Sequence, residues 1–372
     1  MASNIANTVN FGTTGLNVGD YTYSLYALSA PGYLPLNSYT NSYLVSSYTA
    51  LGALVVPVIT PVSYTATART LPASQRWAGV AYGNGVFVAV GSSATGTATT
   101  GSASSTDGIT WTARTMPSSN IWSAVAFGNG IFVAISKVSS IAATSSDGIN
   151  WISRSGISNY NWRSITYGNG LFVASNNTTT SNVVATSPDG ITWTDRTLPS
   201  TQTWGQVAYG NGRFLVTSTT SSWAVSFDGV TWQAVTVASG VDYLAFGNGK
   251  FVVLTNSTNV AYVSPDGFTW SSYTLPASAW GPITYGNNSF LAIVTGSTSA
   301  ATSPDGITWT SRTMPTASNW YSLAFGAGRF VTVSGLAATT DAATIDYAVN
   351  ATSFVLPNVQ TLTGTTAYIK AT

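Results

Sequence analysis

One unit recurs seven times along this 372-residue chain, and that repetition limits the possible folds more than any other feature. Its first half follows W-x-x-V-A-Y-G-N-G-x-F-V-A-V and runs from Trp77 to Val90, Trp122 to Ile135, Trp162 to Ser175, Trp204 to Thr217, Trp280 to Ile293 and Trp320 to Val333. A copy without the Trp spans Val241 to Leu254. The second half, A-T-S-x-D-G-x-T-W-x-x-R-T-x-P, occurs six times, with its acids at Asp107, Asp147, Asp189, Asp228, Asp266 and Asp305.

Each half predicts a hairpin. Apolar runs on both sides of Gly-Asn-Gly give two strands joined by a turn that needs positive φ, which Asn and Gly adopt at low cost. The Asp-Gly pair does the same for the next two strands, with the carboxylate placed to accept backbone N–H groups across its own turn. Runs such as Val86-Phe87-Val88-Ala89-Val90 are apolar on both faces, as a strand sandwiched between neighbouring sheets must be. A repeat of about forty residues with four strands is the mark of a β-propeller blade.

The seventh copy has its Trp320 half and a stub, Ala337-Ala338-Thr339-Thr340-Asp341, but no T-W-x-x-R-T-x-P segment. That segment stands alone ahead of the first copy, in Ser63 to Pro72 with Arg69 in its column. The expected fold is therefore all-β: a seven-bladed β-propeller of four-stranded antiparallel blades over residues 61–340, closed by an N-terminal strand. Closure brings the two flanks together, so 1–60 and 341–372 are expected to form the halves of one small attachment domain.

Composition then removes whole classes of chemistry. The chain has no His and no Cys, and its eleven acids are all Asp. The usual proton shuttle, the usual metal ligand and any thiolate are missing. A net charge of +1 spread over few ionisable residues gives no field for a phosphate backbone, so nucleic acid is not an expected partner. Pro57 and Pro61 break the apolar stretch from Ala50 to Val62, and neither a signal peptide nor a transmembrane helix is read. No cofactor and no enzymatic activity are expected.

Ser187-Pro188-Asp189-Gly190-Ile191-Thr192-Trp193 resembles the Asp-box of sialidase-like propellers, one residue tighter between Asp and Gly. Blades written S-P-D-G-I-T-W-T with Y-G-N-G hairpins resemble those of bacteriophage structural proteins. Ala30-Pro31-Gly32-Tyr33-Leu34-Pro35-Leu36-Asn37, followed by Ser47-Tyr48-Thr49-Ala50-Leu51, is similar to the opening of phage tail-collar domains. Phe354-Val355-Leu356-Pro357-Asn358 and Tyr368-Ile369-Lys370 resemble the closing half of that module. The resemblance implies a virion protein of a phage tail or surface, whose collar-like flanks, 1–60 and 341–372, dock to other virion proteins. It also implies a homo-oligomer, a trimer by family likeness.

Repetition separates structural residues from candidates for binding. Twelve of the thirteen Trp fall into two columns and read as interblade core; Trp223 is off pattern. Arg69, Arg114, Arg154, Arg196 and Arg312 share an outer-strand column, whereas Arg76 and Arg163 adjoin blade-opening Trp residues outside any column. The tight hairpins are expected on one face of the ring and the variable loops on the other. Loops on a rigid scaffold commonly carry recognition, so Trp223, Arg163, Arg76, Tyr160, Asn176 and Asn177 are the candidate ligand-binding residues, with a host-surface glycan as the expected ligand. A purely architectural capsid or tail decoration is the alternative reading.

Overall fold

The computed structural model describes residues 61–93, 95–237, 243–277, 279–335 and 339–349. Both collar-like flank motifs, and the docking and oligomerisation expected of them, lie outside these residues. The first repeat contributes β1 (Pro61–Gly83), β2 (Val86–Ser92), β3 (Thr99–Ser105) and β4 (Thr112–Asn120). β1 pairs antiparallel with β2 from Arg76↔Ser92 to Gly83↔Val86, β2 pairs with β3, and β3 with β4. The next five repeats form the same four-stranded meander. Among the described residues there are five four-stranded sheets and one seven-stranded sheet, an all-β propeller with N- and C-terminal strands joined in one closing sheet.

Burial follows position within each sheet. The second strand is sandwiched, and from Phe87 to Ser92, as from Phe132 to Ser136, every residue is buried. The fourth strand lies at the rim and keeps few buried positions, such as Met116 in β4. Each Gly-Asn-Gly hairpin turns through positive φ at Asn84, Asn129, Asn169, Asn211 and Asn248 and at the glycine that follows. In the last repeat Ala327 occupies this left-handed position, at φ 46°.

Successive repeats meet through one contact, used over and over. A Cβ on Gly83 would lie 2.0 Å from the ring of Phe127 in the next repeat, and Gly128 stands in the same relation to Tyr167. The series runs on to Gly286 against Phe325, and Gly326 then meets Tyr82 of the first repeat. No side chain fits at these glycines because the neighbouring aromatic already fills the space. The contacts return to their origin after seven steps.

The seven-stranded sheet shows how the chain closes. In it β1 lies between Thr339–Val349 on one side and β2 on the other. In four other repeats an outer-strand arginine donates its Nε–H to a hydroxyl on the adjacent strand, as Arg114 does to Ser104 at 2.8 Å and Arg312 to Thr302 at 3.0 Å. Arg69 makes this bond to Thr344 at 3.0 Å, across 275 residues of sequence. The N-terminal strand thus completes the last sheet.

One detail of register differs from the expectation. Ala337-Ala338-Thr339 and Ala342-Ala343-Thr344 both match the third-strand pattern, and the expected stub uses the first of them. Pairing uses the second: Phe330 faces Ile345 and Val333 faces Ala342, with Ala342 and Ala343 buried. The expected boundary at residue 340 falls inside this strand, and the compact unit spans Tyr64–Tyr347.

Candidate functional site

The two ends of the ring carry different chemistry, and the strand register separates them. At one end lie the tight turns. Ser105 Oγ donates to Asp107 Oδ1 at 2.9 Å and accepts the Gly108 N–H at 2.8 Å; Ile109 and Thr110 donate their N–H groups to Asp107 Oδ1 at 2.8 and 2.9 Å. The same bonds recur around the ring, and they consume the carboxylates. Burial alone would raise the Asp107 and Asp189 pKa values, but the backbone N–H donors outweigh it and hold both carboxyls below their ordinary value. At Asp228 the Thr231 and Val230 amides dominate outright. Asn84 Nδ2 ties its hairpin to the next repeat through the carbonyls of Gly130, at 3.1 Å, and Ser146, at 2.9 Å, so both kinds of tight turn lie at this end.

The other end begins at the Arg76↔Ser92 end of the ladder and opens into two connected hollows. The larger, about 280 Å³, occupies the axis and is lined by the innermost strands of all seven repeats, through Gly79, Val125, Ile165, Val207, Leu244, Ile283 and Leu323. The smaller, about 130 Å³, lies beside it and shares Arg163, Ser123 and Tyr321 with it. Arg76, Lys137, Arg163 and Asn177 line this second hollow, with Trp77, Trp122 and Trp162 among the residues of its wall. Among the described residues, no carboxylate lines either one.

Of the six residues expected to bind ligand, three therefore come together: Arg76, Arg163 and Asn177. Arg76 is anchored by its Nε–H, which donates to the Gly335 carbonyl at 3.2 Å. The other three have structural work. Asn176 is fully buried, donating to the Val183 carbonyl at 2.6 Å and to Ser181 Oγ at 3.2 Å while accepting the Thr178 N–H at 3.0 Å. Tyr160 packs edge-on against Trp162 with ring centroids 5.7 Å apart and is absent from both linings.

Trp223 was expected on a surface loop and instead sits on the strand Ser222–Ser226 with none of its side chain exposed. The reason lies in the degenerate fifth repeat. The other buried clusters between sheets each hold a blade-opening indole, such as Trp204 or Trp280. At the fourth joint the cluster has Trp223 in that capacity, edge-on to Trp270 at 4.9 Å. A tryptophan supplied from the preceding sheet fills the space that the missing blade-opening Trp leaves, and none of its surface remains for a ligand.

Two residues of the hollow were missed in the sequence. Tyr321 follows Trp320 as Arg163 follows Trp162, so variation in the column after the Trp was the available signal. Lys137 follows the second strand and stands outside the hairpin and outer-strand columns of basic residues. Among the described residues no cluster of three or more metal-ligating side chains forms.

A family model described as the DUF6242 beta propeller domain matches residues 154–345. No curated protein matches the sequence. Among solved structures, a streptogramin B lyase superposes with a TM-score of 0.66 at 10% identity, covering 77% of this chain and 98% of that one. A catalytically inactive virginiamycin B lyase from Staphylococcus aureus with quinupristin gives a TM-score of 0.67 at 9% identity, over 76% and 99% of the two chains. YCF48 bound to D1 peptide gives 0.61 at 15% identity, over 80% and 100%. At such identities the likeness is one of fold.

Proposed function

Since the chain belongs to the DUF6242 β-propeller domain family, we propose that it is a non-enzymatic structural protein of a phage virion, displaying its propeller for recognition of host-surface glycans. The observation that carries the recognition reading is the open-end hollow, where off-repeat residues, Arg76, Lys137, Arg163 and Tyr321, gather on a scaffold otherwise built of repeat columns. The virion reading rests on the collar-like motifs of residues 1–60 and 341–372, which would dock to the particle and assemble a homo-oligomer, a trimer by resemblance.

We count the ring as seven blades, with the seven-stranded sheet taken as two blades that share β1. The Ser-x-Asp-Gly turns are then a tightened relative of the Asp-box. A non-enzymatic role fits a chain without His, Cys or Glu, whose six turn carboxylates are spent on backbone amides. The structural neighbours include lyases and a peptide-bound protein, so the fold alone does not choose among roles.

The test is adsorption of the labelled full-length chain to a panel of bacterial cells, with competition by their purified surface polysaccharides. Saturable, competed binding is expected. A folded chain that adsorbs to no cell and no polysaccharide would leave architectural decoration as the better reading. One observation favours that second role: Phe227 and Phe268 stack at 6.3 Å at the tight-turn end, exposed, with the Arg213 guanidinium 5.0 Å from the Phe227 centroid. An exposed aromatic and basic patch of this kind suits contact with another protein.

A further inference from the structure

We infer that the smaller open-end hollow takes the acidic group of a charged saccharide, with Arg76, Lys137 and Arg163 supplying the counter-charge and Tyr321 the face on which the sugar ring packs. This rests on the glycan-recognition reading and names the ligand class for that site.

The argument begins with the described cations. Arg69, Arg114, Arg154, Arg196 and Arg312 are held on outer strands by hydroxyl acceptors. Arg213, Lys250 and Arg329 belong to the tight-turn end, over Phe227, against the Asp305 carbonyl and beside Asp346. The described cations outside both groups are Arg76, Lys137 and Arg163, and all three line this one hollow. They come from three different repeats, so no strand or helix periodicity accounts for their meeting. Among the described residues of the lining there are three cationic side chains and no carboxylate.

The remaining groups match a sugar rather than a bare ion. Tyr321 is 45% exposed, an unusual position for a large ring next to a cavity, and a half-open aromatic face packs well on the apolar side of a pyranose. Asn177 Oδ1 is buried without a hydrogen-bond partner, an acceptor suited to a hydroxyl. Trp77, Trp122 and Trp162 complete the wall of this hollow.

The experiment is calorimetric titration of the full-length chain with a uronate-containing oligosaccharide, with the same oligosaccharide after reduction of its carboxyls to alcohols, and with inorganic phosphate. The acidic oligosaccharide should bind, the reduced one about tenfold to a hundredfold more weakly, as expected when charge-assisted hydrogen bonds are lost. Raising the salt from about 0.1 to about 0.5 M should weaken only the acidic ligand. Lys137→Ala and Arg163→Ala should each erase most of the preference for the acid, Lys137→Ala without moving Tm, while Tyr321→Ala should weaken both oligosaccharides alike. Equal affinity for the acidic and reduced forms would overturn the inference, as would an Arg76→Ala and Arg163→Ala pair that still prefers the acid. Phosphate that competes as well as the oligosaccharide would overturn its saccharide part. Adsorption to cells without any of this charge preference would defeat the inference and spare the recognition reading; a folded chain binding neither cells nor saccharides would defeat both.

Discussion

The two ends of the ring are made from the same strands and use their polar groups in opposite ways. At the tight-turn end the Ser and Asp of the Ser-x-Asp-Gly turns are tied into bonds that recur from repeat to repeat, as in Ser226, whose Oγ holds both Asp228 Oδ1 at 2.9 Å and the Gly229 N–H at 2.8 Å. At the open end several polar residues break the repeat, among them Arg76, Lys137, Arg163 and Asn177. Recurrence therefore identifies structure, and departure from it has two meanings. A departure can mend a fault elsewhere in the repeat, as Trp223 does, or it can face a ligand, as Arg76, Lys137 and Arg163 are proposed to do.

The comparison can be broken most forcefully at Trp223. If it mends the fourth joint, Trp223→Ala should cost about 3–5 kcal/mol, as large buried aromatics do, measured by urea unfolding of the full chain. A cost below about 1 kcal/mol would return Trp223 to the group of ligand candidates. Ser226→Ala, which strands a buried Gly229 N–H at the tight-turn end, should cost about 1–3 kcal/mol by the same measurement.

Acid tests the same end as a whole. The turn carboxyls have folded pKa values below their unfolded ones, so the folded state binds fewer protons than the unfolded state as the pH drops. The stability they contribute is fully present above about pH 4 and is lost as the pH falls further, through their depressed values. With no His, stability should be nearly flat from about pH 5 to 8, which a series of thermal melts would check. A transition near neutrality would contradict this account.

Smaller effects sharpen the contrast. Ala327→Asn should raise stability by about 0.5–1 kcal/mol, because Asn tolerates the left-handed conformation that Ala adopts there at a cost. Lys137→Ala, at the open end, should change stability by less than about 0.5 kcal/mol, since no repeated contact depends on it.

Much of this could be read in advance. The repeat length, the two turn chemistries and the solitary Ser63–Pro72 segment implied a ring closed by its first strand, and the Arg69 bond to Thr344 is the physical form of that reading. What could not be read was position within a departure. Nothing in a single sequence distinguishes a Trp in a loop from one shifted onto a strand to replace a neighbour's missing indole. The two adjacent A-A-T runs near the C-terminus likewise differ in pairing only once the strand opposite is known. Lys137 escaped notice because a hollow walled by several repeats leaves no local pattern in the sequence.

The bond between Arg69 and Thr344 also bears on the order of synthesis. The first strand of the ring leaves the ribosome long before its partner on the last sheet exists, so until residues 339–349 emerge both of them present unpaired edges. The entropy of joining ends this far apart grows only slowly with the length between them, and the delay is therefore one of time more than of free energy. A chain cut short before residue 339 would hold most of the ring's interior and still lack a seam, exposing two edges that in the finished protein exist only for each other.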